Sequence, residues 1–280
     1  MPPNRIDLPP TSLAVIGQAR GYGGDDARLI ERATPVETPV NIVYAPVPFA
    51  VMMATPADLE DFAVGFSITE GIIDAMSDIR SVEIEAVSDG LRAVVTLSSE
   101  RMQRHLARAR NIAGRTGCGV CGIDDLKSLP LARSPSGPEI TLDMAAVGAA
   151  LTSLESRQPL NDLTHAVHAA AWCNLAGAAI LVREDVGRHN ALDKLIGALA
   201  RGGHSPADGF VLITSRCSFE MVEKAAVFGA RAIVAISAPT SLAIDRARLH
   251  GMTLIAIARR DGAMVFSGEQ RIRLDAGTKA

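Results

Sequence analysis

The sequence predicts an α/β protein: a small N-terminal α+β domain followed by a three-layer αβα sandwich. Three observations carry that prediction. Apolar residues make up 48% of the chain and aromatics only 4%, so the core must be built from Ala, Val, Leu and Ile, as in buried sheets flanked by helices. The C-terminal half alternates short apolar runs, "AAILV", "GFVLITS", "RAIVAIS" and "MTLIAIA", with helical stretches, the pattern of a mostly parallel sheet covered on both faces. The N-terminal half instead reads as strand pairs and single helices, and 280 residues leave room for a core in each half.

Taken in order, residues 1–27 read as a flexible leader, rich in Pro and Gly and without a sustained period. The small α+β domain spans 28–110. Its proline-broken stretch "ETPVNIVYAPVPFAVMMATP" reads as a pair of strands. A helix follows in "ADLEDFAVGFSITEG", for which Thr55 is the expected cap, Pro56 the first helical position, Asp58 the capping-box acid and Gly71 the stop. Next come the strands "RSVEIEAV" and "RAVVTLS" about a Ser-Asp-Gly turn, then a basic helix, "SERMQRHLARARN". Residues 111–140 have no apolar period for most of their length and read as a long mobile loop, a length that in compact proteins marks function or disorder. The α/β domain spans 141–275. It opens with the capped helix "TLDMAAVGAALTSLES", and its helices are "GRHNALDKLIGALA", "SFEMVEKAAVFGA" and "TSLAIDRARLHG". "THAVHAAAWCNLAG" suits a helix by its alanines, but its join through Asn-Leu-Ala-Gly to "AAILV" favours a hairpin.

Composition narrows the function. A net charge of −3 provides no general basic field for a long nucleic acid, so an anionic ligand must meet a local cluster. No apolar run is long enough to span a bilayer, and no secretory signal opens the chain. Four cysteines are too few and too unevenly placed for a disulfide scaffold, which points to a cytoplasmic protein with reduced thiols.

Two of those cysteines, Cys118 and Cys121, stand as Cys-Gly-Val-Cys within "NIAGRTGCGVCGIDD". Such a pair suits a redox disulfide, half of a metal site, or a nucleophilic thiol that carries a group. A structural zinc needs four ligands, and Cys173 and Cys217 have no partner at ligand spacing, so no structural metal is expected. A thioredoxin-like pair opens a helix, whereas glycines flank this one. With Arg115 near to favour thiolate, the pair suits a thiol that moves between donor and acceptor, as a persulfide carrier must.

The second cluster is "REDVGRHNALDKLIG", at a strand-to-helix junction where helical N–H groups favour an anion. Glu184, Asp185, Arg188, His189, Asn190, Asp193 and Lys194 make it densely polar, although a plain amphipathic helix explains part of that. "TSRCSFEMVEKAA" puts Thr214, Ser215 and Arg216 after one strand, and "IARRDG" puts Arg259 and Arg260 after another. With Arg183 and Arg188 these residues are expected to form one basic pocket at the sheet edge, where ligands of such sheets bind. His165 and His168 would share a helix face but take opposite faces of a strand, so one is read as a core histidine.

"FAVGFSITEGII", "GRTGCGVCG", "NDLTHAVHAAA", "REDVGRHNALDKLIG", "SRCSFEMVEKAA" and "ISAPTSLAIDRA" together make residues 28–273 closely resemble the formate dehydrogenase accessory sulfurtransferase family (FdhD family). The resemblance implies a cytoplasmic homodimer whose second domain has a cytidine-deaminase-like fold. It implies a protein that takes sulfur from a cysteine desulfurase and passes it to the molybdenum cofactor, Mo-bis(molybdopterin guanine dinucleotide), before that cofactor enters the formate dehydrogenase catalytic subunit. By motif, Cys118 would hold the persulfide and Cys121 would assist. The segment Ile257, Ala258, Arg259, Arg260, Asp261 and Gly262 falls where the family contacts the guanine dinucleotide; Arg183, Arg188, His189 and Arg216, read above from the strand-end clusters, are expected to add contacts to the cofactor. "TSRCSFEM" is less typical, and Cys217 is not counted as family chemistry. Deaminase chemistry itself is not expected: "VGRHNALDK" lacks the His-x-Glu triplet, and the CxxC stands upstream without its proline. A cofactor chaperone with secondary sulfur transfer is the rival reading, and a disulfide oxidoreductase a poorer third.

Overall fold

The computed structural model describes residues 7–22, 27–109, 131–136 and 138–273; Cys118 and Cys121 lie outside them. β1 (Ser12–Arg20) and β2 (Ala27–Pro35) pair as an antiparallel ribbon, which corrects the reading of residues 1–27 as a leader throughout. The physical reason is exposure. Every residue of β1 after Ser12 faces solvent, so neither face needs an apolar set and no period of two is written into the sequence.

β3 (Thr38–Tyr44), β4 (Val47–Ala54), β5 (Ile79–Val87) and β6 (Gly90–Leu97) form a four-stranded sheet in the order β4-β3-β6-β5. Alternate residues of the two central strands, among them Val40, Ile42, Ala93 and Val95, point to one face and meet Phe62 and Phe66 of helix α1 (Leu59–Thr69). Helix α2 (Ser99–Ala109) sets His105 edge-on to Tyr44, whose hydroxyl lies 2.9 Å from Ser67 Oγ.

The larger unit contains β7 (Leu142–Asp143), α3 (Met144–Glu155), α4 (Pro159–Thr164), β8 (His168–Asn174), β9 (Ala179–Asp185), α5 (Arg188–Arg201), β10 (Gly209–Ile213), α6 (Phe219–Phe228), β11 (Ala232–Ala235), α7 (Ser241–Leu249), β12 (Thr253–Arg259), β13 (Gly262–Ser267) and β14 (Ile272–Arg273). Asp143 caps α3 by accepting from the Ala145 N–H at 2.9 Å. The hairpin reading of 168–185 holds: β8 and β9 pair antiparallel, and the Asn174 side chain closes the turn by accepting from the Ala176 and Ala178 N–H groups. The six-stranded sheet runs β13-β12-β11-β10-β8-β9. Phe210 and Leu212 of β10 point to the face covered by α3, whereas Val211 and Ile213 point to the face covered by α5, α6 and α7. Both faces are therefore buried, as the continuous apolar runs required. Among the described residues no helix is long and apolar enough to cross a membrane.

The two units meet where α1 crosses α5. A Cβ on Gly65 would lie 1.7 Å from the Asp193 carbonyl oxygen, and one on Gly197 would lie 1.8 Å from that of Asp61, so the helix backbones touch directly. Thr55 does not cap α1, which starts after Asp58 with no side-chain cap. It is drawn instead to the other unit: its N–H donates to Asp185 Oδ2 at 2.9 Å, its Oγ1 accepts from the Val186 N–H at 3.1 Å, and its carbonyl accepts from Lys194 Nζ at 2.9 Å. Lys194 and Asp185 are fully buried and lie 2.7 Å apart.

Candidate functional site

β10, β11 and β12 run parallel, and β9 shares their direction because both β9 and β10 pair antiparallel with β8. Their carboxyl ends therefore lie along one edge. Arg188 and His189 follow β9, Arg216 follows β10, and Arg259 ends β12. With strands about 4.8 Å apart, neighbouring members of the series Arg188, Arg216 and Arg259 are two strands or about 10 Å apart, and the series spans about 20 Å. That length suits an extended polyanion better than a single phosphate. Thr214 fixes the loop after β10, its Oγ1 accepting from the Ala169 N–H at 2.9 Å, and Arg216 is exposed between buried Ser215 and Cys217.

At the start of α5, His189 Nε2 lies 3.4 Å from Glu220 Oε2 in the first turn of α6, and that oxygen accepts from Ser218 Oγ at 3.1 Å. Burial acts to raise the Glu220 carboxyl, but His189, Ser218 and Arg188 outweigh it and hold the group below the usual range. Burial, reinforced by Arg188, lowers His168 at the start of β8. Ionised Glu220 thus offsets part of the positive charge at this edge, and His168 is held toward its neutral form.

The dense polar set after β9 divides in two. Asp185, Asn190 and Lys194 turn inward to the contact between the units, where Asn190 Nδ2 donates to Met53 O at 2.8 Å and to Asp185 Oδ1 at 3.0 Å. Asp193 lies 2.8 Å from Lys224 Nζ and accepts from Thr69 Oγ1 at 2.8 Å. Glu184 accepts from the N–H groups of Leu160 and Asn161. Only Arg188 and His189 of the set stay at the edge.

The expected single basic pocket is not what forms. Arg183 turns to α1, with Nη2 2.7 Å from Asp61 Oδ2 and Nε 3.6 Å from Asp58, and Arg201 reaches the same Asp61. Asp61 is buried and needs those partners, which is what draws Arg183 away. Arg260 turns back to α3, 3.0 Å from Glu155. Ile257 has φ 53°, an uncommon conformation for a β-branched residue, and its N–H donates to Ser237 O at 3.1 Å. Ala258 is buried, while Asp261 and Gly262 are exposed at the turn into β13. A cavity of about 560 Å³ lies elsewhere, beside β9 and α4, lined in part by Thr55, Asp58, Leu163, Arg183 and Glu184. None of Arg188, His189, Arg216, Arg259 or Arg260 lines it.

Glu220 is the residue of this edge that sequence reasoning missed. The available signal was that two helices, each following a strand of the same direction, begin with His189 and Glu220. Cys173 in β8 and Cys217 after β10 are fully buried, and burial pushes both thiols up to about 12.

The chain was compared with known proteins. Residues 35–273 match the FdhD/NarQ family model. A sulfur carrier protein FdhD from Xanthomonas euvesicatoria pv. vesicatoria is 45% identical over 261 residues, 93% of either chain. One of the same name from Bordetella parapertussis is 46% identical over 236 residues, 84% of this chain and 86% of its own. A crystal structure from Desulfotalea psychrophila, described as a formate dehydrogenase accessory protein, superposes with a TM-score of 0.72 at 28% identity, covering 94% of this chain and all of its own. The agreement of sequence across nearly the whole length with the two-unit architecture leads to one conclusion: the chain belongs to the FdhD/NarQ family.

Proposed function

We propose that this chain is a sulfur carrier for formate dehydrogenase maturation, working in the cytoplasm as a homodimer with a cytidine-deaminase-like larger domain. The carrier is Cys118. Its thiolate attacks the outer sulfur of a cysteine desulfurase persulfide, the donor's thiolate leaves, and Cys118 holds the persulfide without any oxidant. Cys121 assists the onward transfer to Mo-bis(molybdopterin guanine dinucleotide), the substrate that then enters the formate dehydrogenase catalytic subunit.

The observation that carries this reading is the state of the other thiols. Of four cysteines, Cys173 and Cys217 are fully buried with thiols near 12, so neither can accept sulfur at neutral pH, and the work falls to the glycine-framed pair. The names of the relatives support the sulfur role, and the arginine series at the sheet edge supports a long anionic substrate. The test is to incubate the protein with a cysteine desulfurase and cysteine, alkylate the thiols, and weigh the peptide holding both cysteines. One added sulfur on Cys118 is expected, and an unmodified peptide refutes the carrier step. Cys118→Ala should stay folded and fail to activate formate dehydrogenase.

A second reading, a cofactor chaperone, is favoured by exposed Arg216 and Arg259 at the edge. It requires saturable guanine nucleotide binding, weakened by Arg188→Ala or Arg259→Ala, in a protein whose cysteines take no sulfur.

A further inference from the structure

The ribbon of β1 and β2 stands outside all three apolar clusters, and eight of the nine residues of β1 are exposed. Leu13, Val15 and Ile16 of β1 and Leu29 and Ile30 of β2 are among the residues it turns to solvent. A two-stranded ribbon alone is marginally stable in water, and three or more strands are needed for it to hold its shape unaided. The two edges differ. β2 carries Arg28, Glu31 and Arg32 and ends in Pro35, the residue types that keep an edge from pairing. α4 also packs against β2, whereas β1 has no comparable neighbour besides β2 among the described residues. From Ser12 to Ala19, β1 has neither charge nor proline, so its free edge offers an unguarded row of N–H and C=O groups.

We infer that the free edge of β1 is the contact between two copies of this chain, β1 of each running antiparallel to β1 of the other in a four-stranded β2-β1-β1-β2 sheet. The inference rests on the homodimer of the preceding reading and assigns where it forms. A second copy is favoured because β1 complements itself. Laid full length against its own copy, the nine-residue strand centres on Ile16: Ile16 faces Ile16, Val15 faces Gly17, Leu13 faces Ala19, and the one charge, Arg20, faces Ser12. No like charges meet. The same operation on β2 would put Glu31 opposite Glu31, which is destabilising. The contact also closes on itself, since both outer edges of the resulting sheet are the charged β2 and no third copy is invited. Pairing through the edge leaves both faces of the ribbon in water, in keeping with a strand that shows no period of two.

Sedimentation equilibrium of the full chain gives the dimer dissociation constant. Ile16→Lys puts two lysines face to face at the centre of the contact and should weaken dimerisation about thirtyfold, as should Ile16→Glu, and mixing the two variants should restore a dimer of mixed composition. Leu29→Lys changes an exposed residue on the same face of the ribbon but on the guarded strand, and should leave the constant unchanged. As a second readout, Ile16→Cys is made in Cys118→Ala/Cys121→Ala protein and oxidised with diamide, which takes up the two protons and two electrons of the thiols. Opposed residues of an antiparallel pair have Cα atoms about 4.5–5.5 Å apart, within disulfide range, so a chain-to-chain crosslink is expected for Ile16→Cys and none for Leu29→Cys. Wild-type dimerisation by Ile16→Lys, or no crosslink through Ile16→Cys, in a chain that does dimerise overturns the inference and spares the homodimer. Equal weakening by Leu29→Lys, or equal crosslinking through Leu29→Cys, also overturns it, because the ribbon then meets its partner through a face. A wild-type chain that stays monomeric removes the homodimer and the inference together.

Discussion

Gly65→Ala tests whether the α1–α5 crossing holds the two units together. The added Cβ would lie 1.7 Å from the Asp193 carbonyl oxygen and 2.8 Å from the Gly197 nitrogen. Non-bonded heavy atoms meet at about 3.5 Å, so the helices must part by about 1.8 Å. Neither can yield cheaply. α5 is packed into the sheet through Leu192, Leu195, Ile196 and Leu199, α1 is packed into the smaller core through Phe62 and Phe66, and the obstacle is backbone with no rotamer to change. Separation also pulls on the Asp61–Arg201 and Asp193–Thr69 contacts. The cost therefore falls at the top of the overpacking range, about 3 kcal/mol. Urea unfolding can be followed through Trp172, the single tryptophan, which is buried in the larger unit. Gly148→Ala is the control, because nothing lies within 4 Å of a Cβ built there in α3, and it should stabilise by about 0.4–1 kcal/mol. A Gly65→Ala protein within about 0.5 kcal/mol of wild type would refute the reasoning.

Three further outcomes are expected. Lys194→Met leaves the Asp185 carboxylate buried without its 2.7 Å partner and should cost about 3–5 kcal/mol in urea unfolding, with part recovered when Asp185→Asn is added; additive losses would argue against a direct pair. In Cys118→Ala/Cys121→Ala protein, a thiol reagent at neutral pH should find no fast-reacting group until denaturant is added, when Cys173 and Cys217 both react; fast labelling of the native form contradicts their burial. Glu220 is held below the usual carboxylate range, so its interactions contribute stability above the ordinary pKa that is lost as pH falls through the lower folded value. The stability gap between wild type and Glu220→Gln should thus be largest near neutrality and shrink on acidification, and a gap independent of pH would count against it.

Where the sequence was legible, the reason was periodicity. The runs that became β10 to β12 are apolar because both faces of the sheet are covered there, and the hairpin of β8 and β9 was written in its Asn-Leu-Ala-Gly turn. β1 escaped because an exposed ribbon makes no demand on side-chain order. Thr55 and Arg183 were misplaced for a different reason. Each fits a local role, a helix cap or a strand-end cation, but Asp185 and Asp61, both buried, recruit them across more than a hundred residues. The arginine series at the edge was readable residue by residue, because each member follows an apolar run. Which members stay there depends on Asp61 and Glu155, whose places only the folded chain decides.

The left-handed turn of Ile257 bears on how this edge can change over time. A β-branched residue in that region costs about 1–3 kcal/mol, a load the fold carries at the last turn of chain before Arg259 and Arg260. Glycine would lift the load at once. It would also let the strand end leave in more than one direction, so that Arg259 would lose its fixed place at the edge and Arg260 its reach to Glu155. Stability and aim pull against each other at this position, so improving one by substitution here loosens the other.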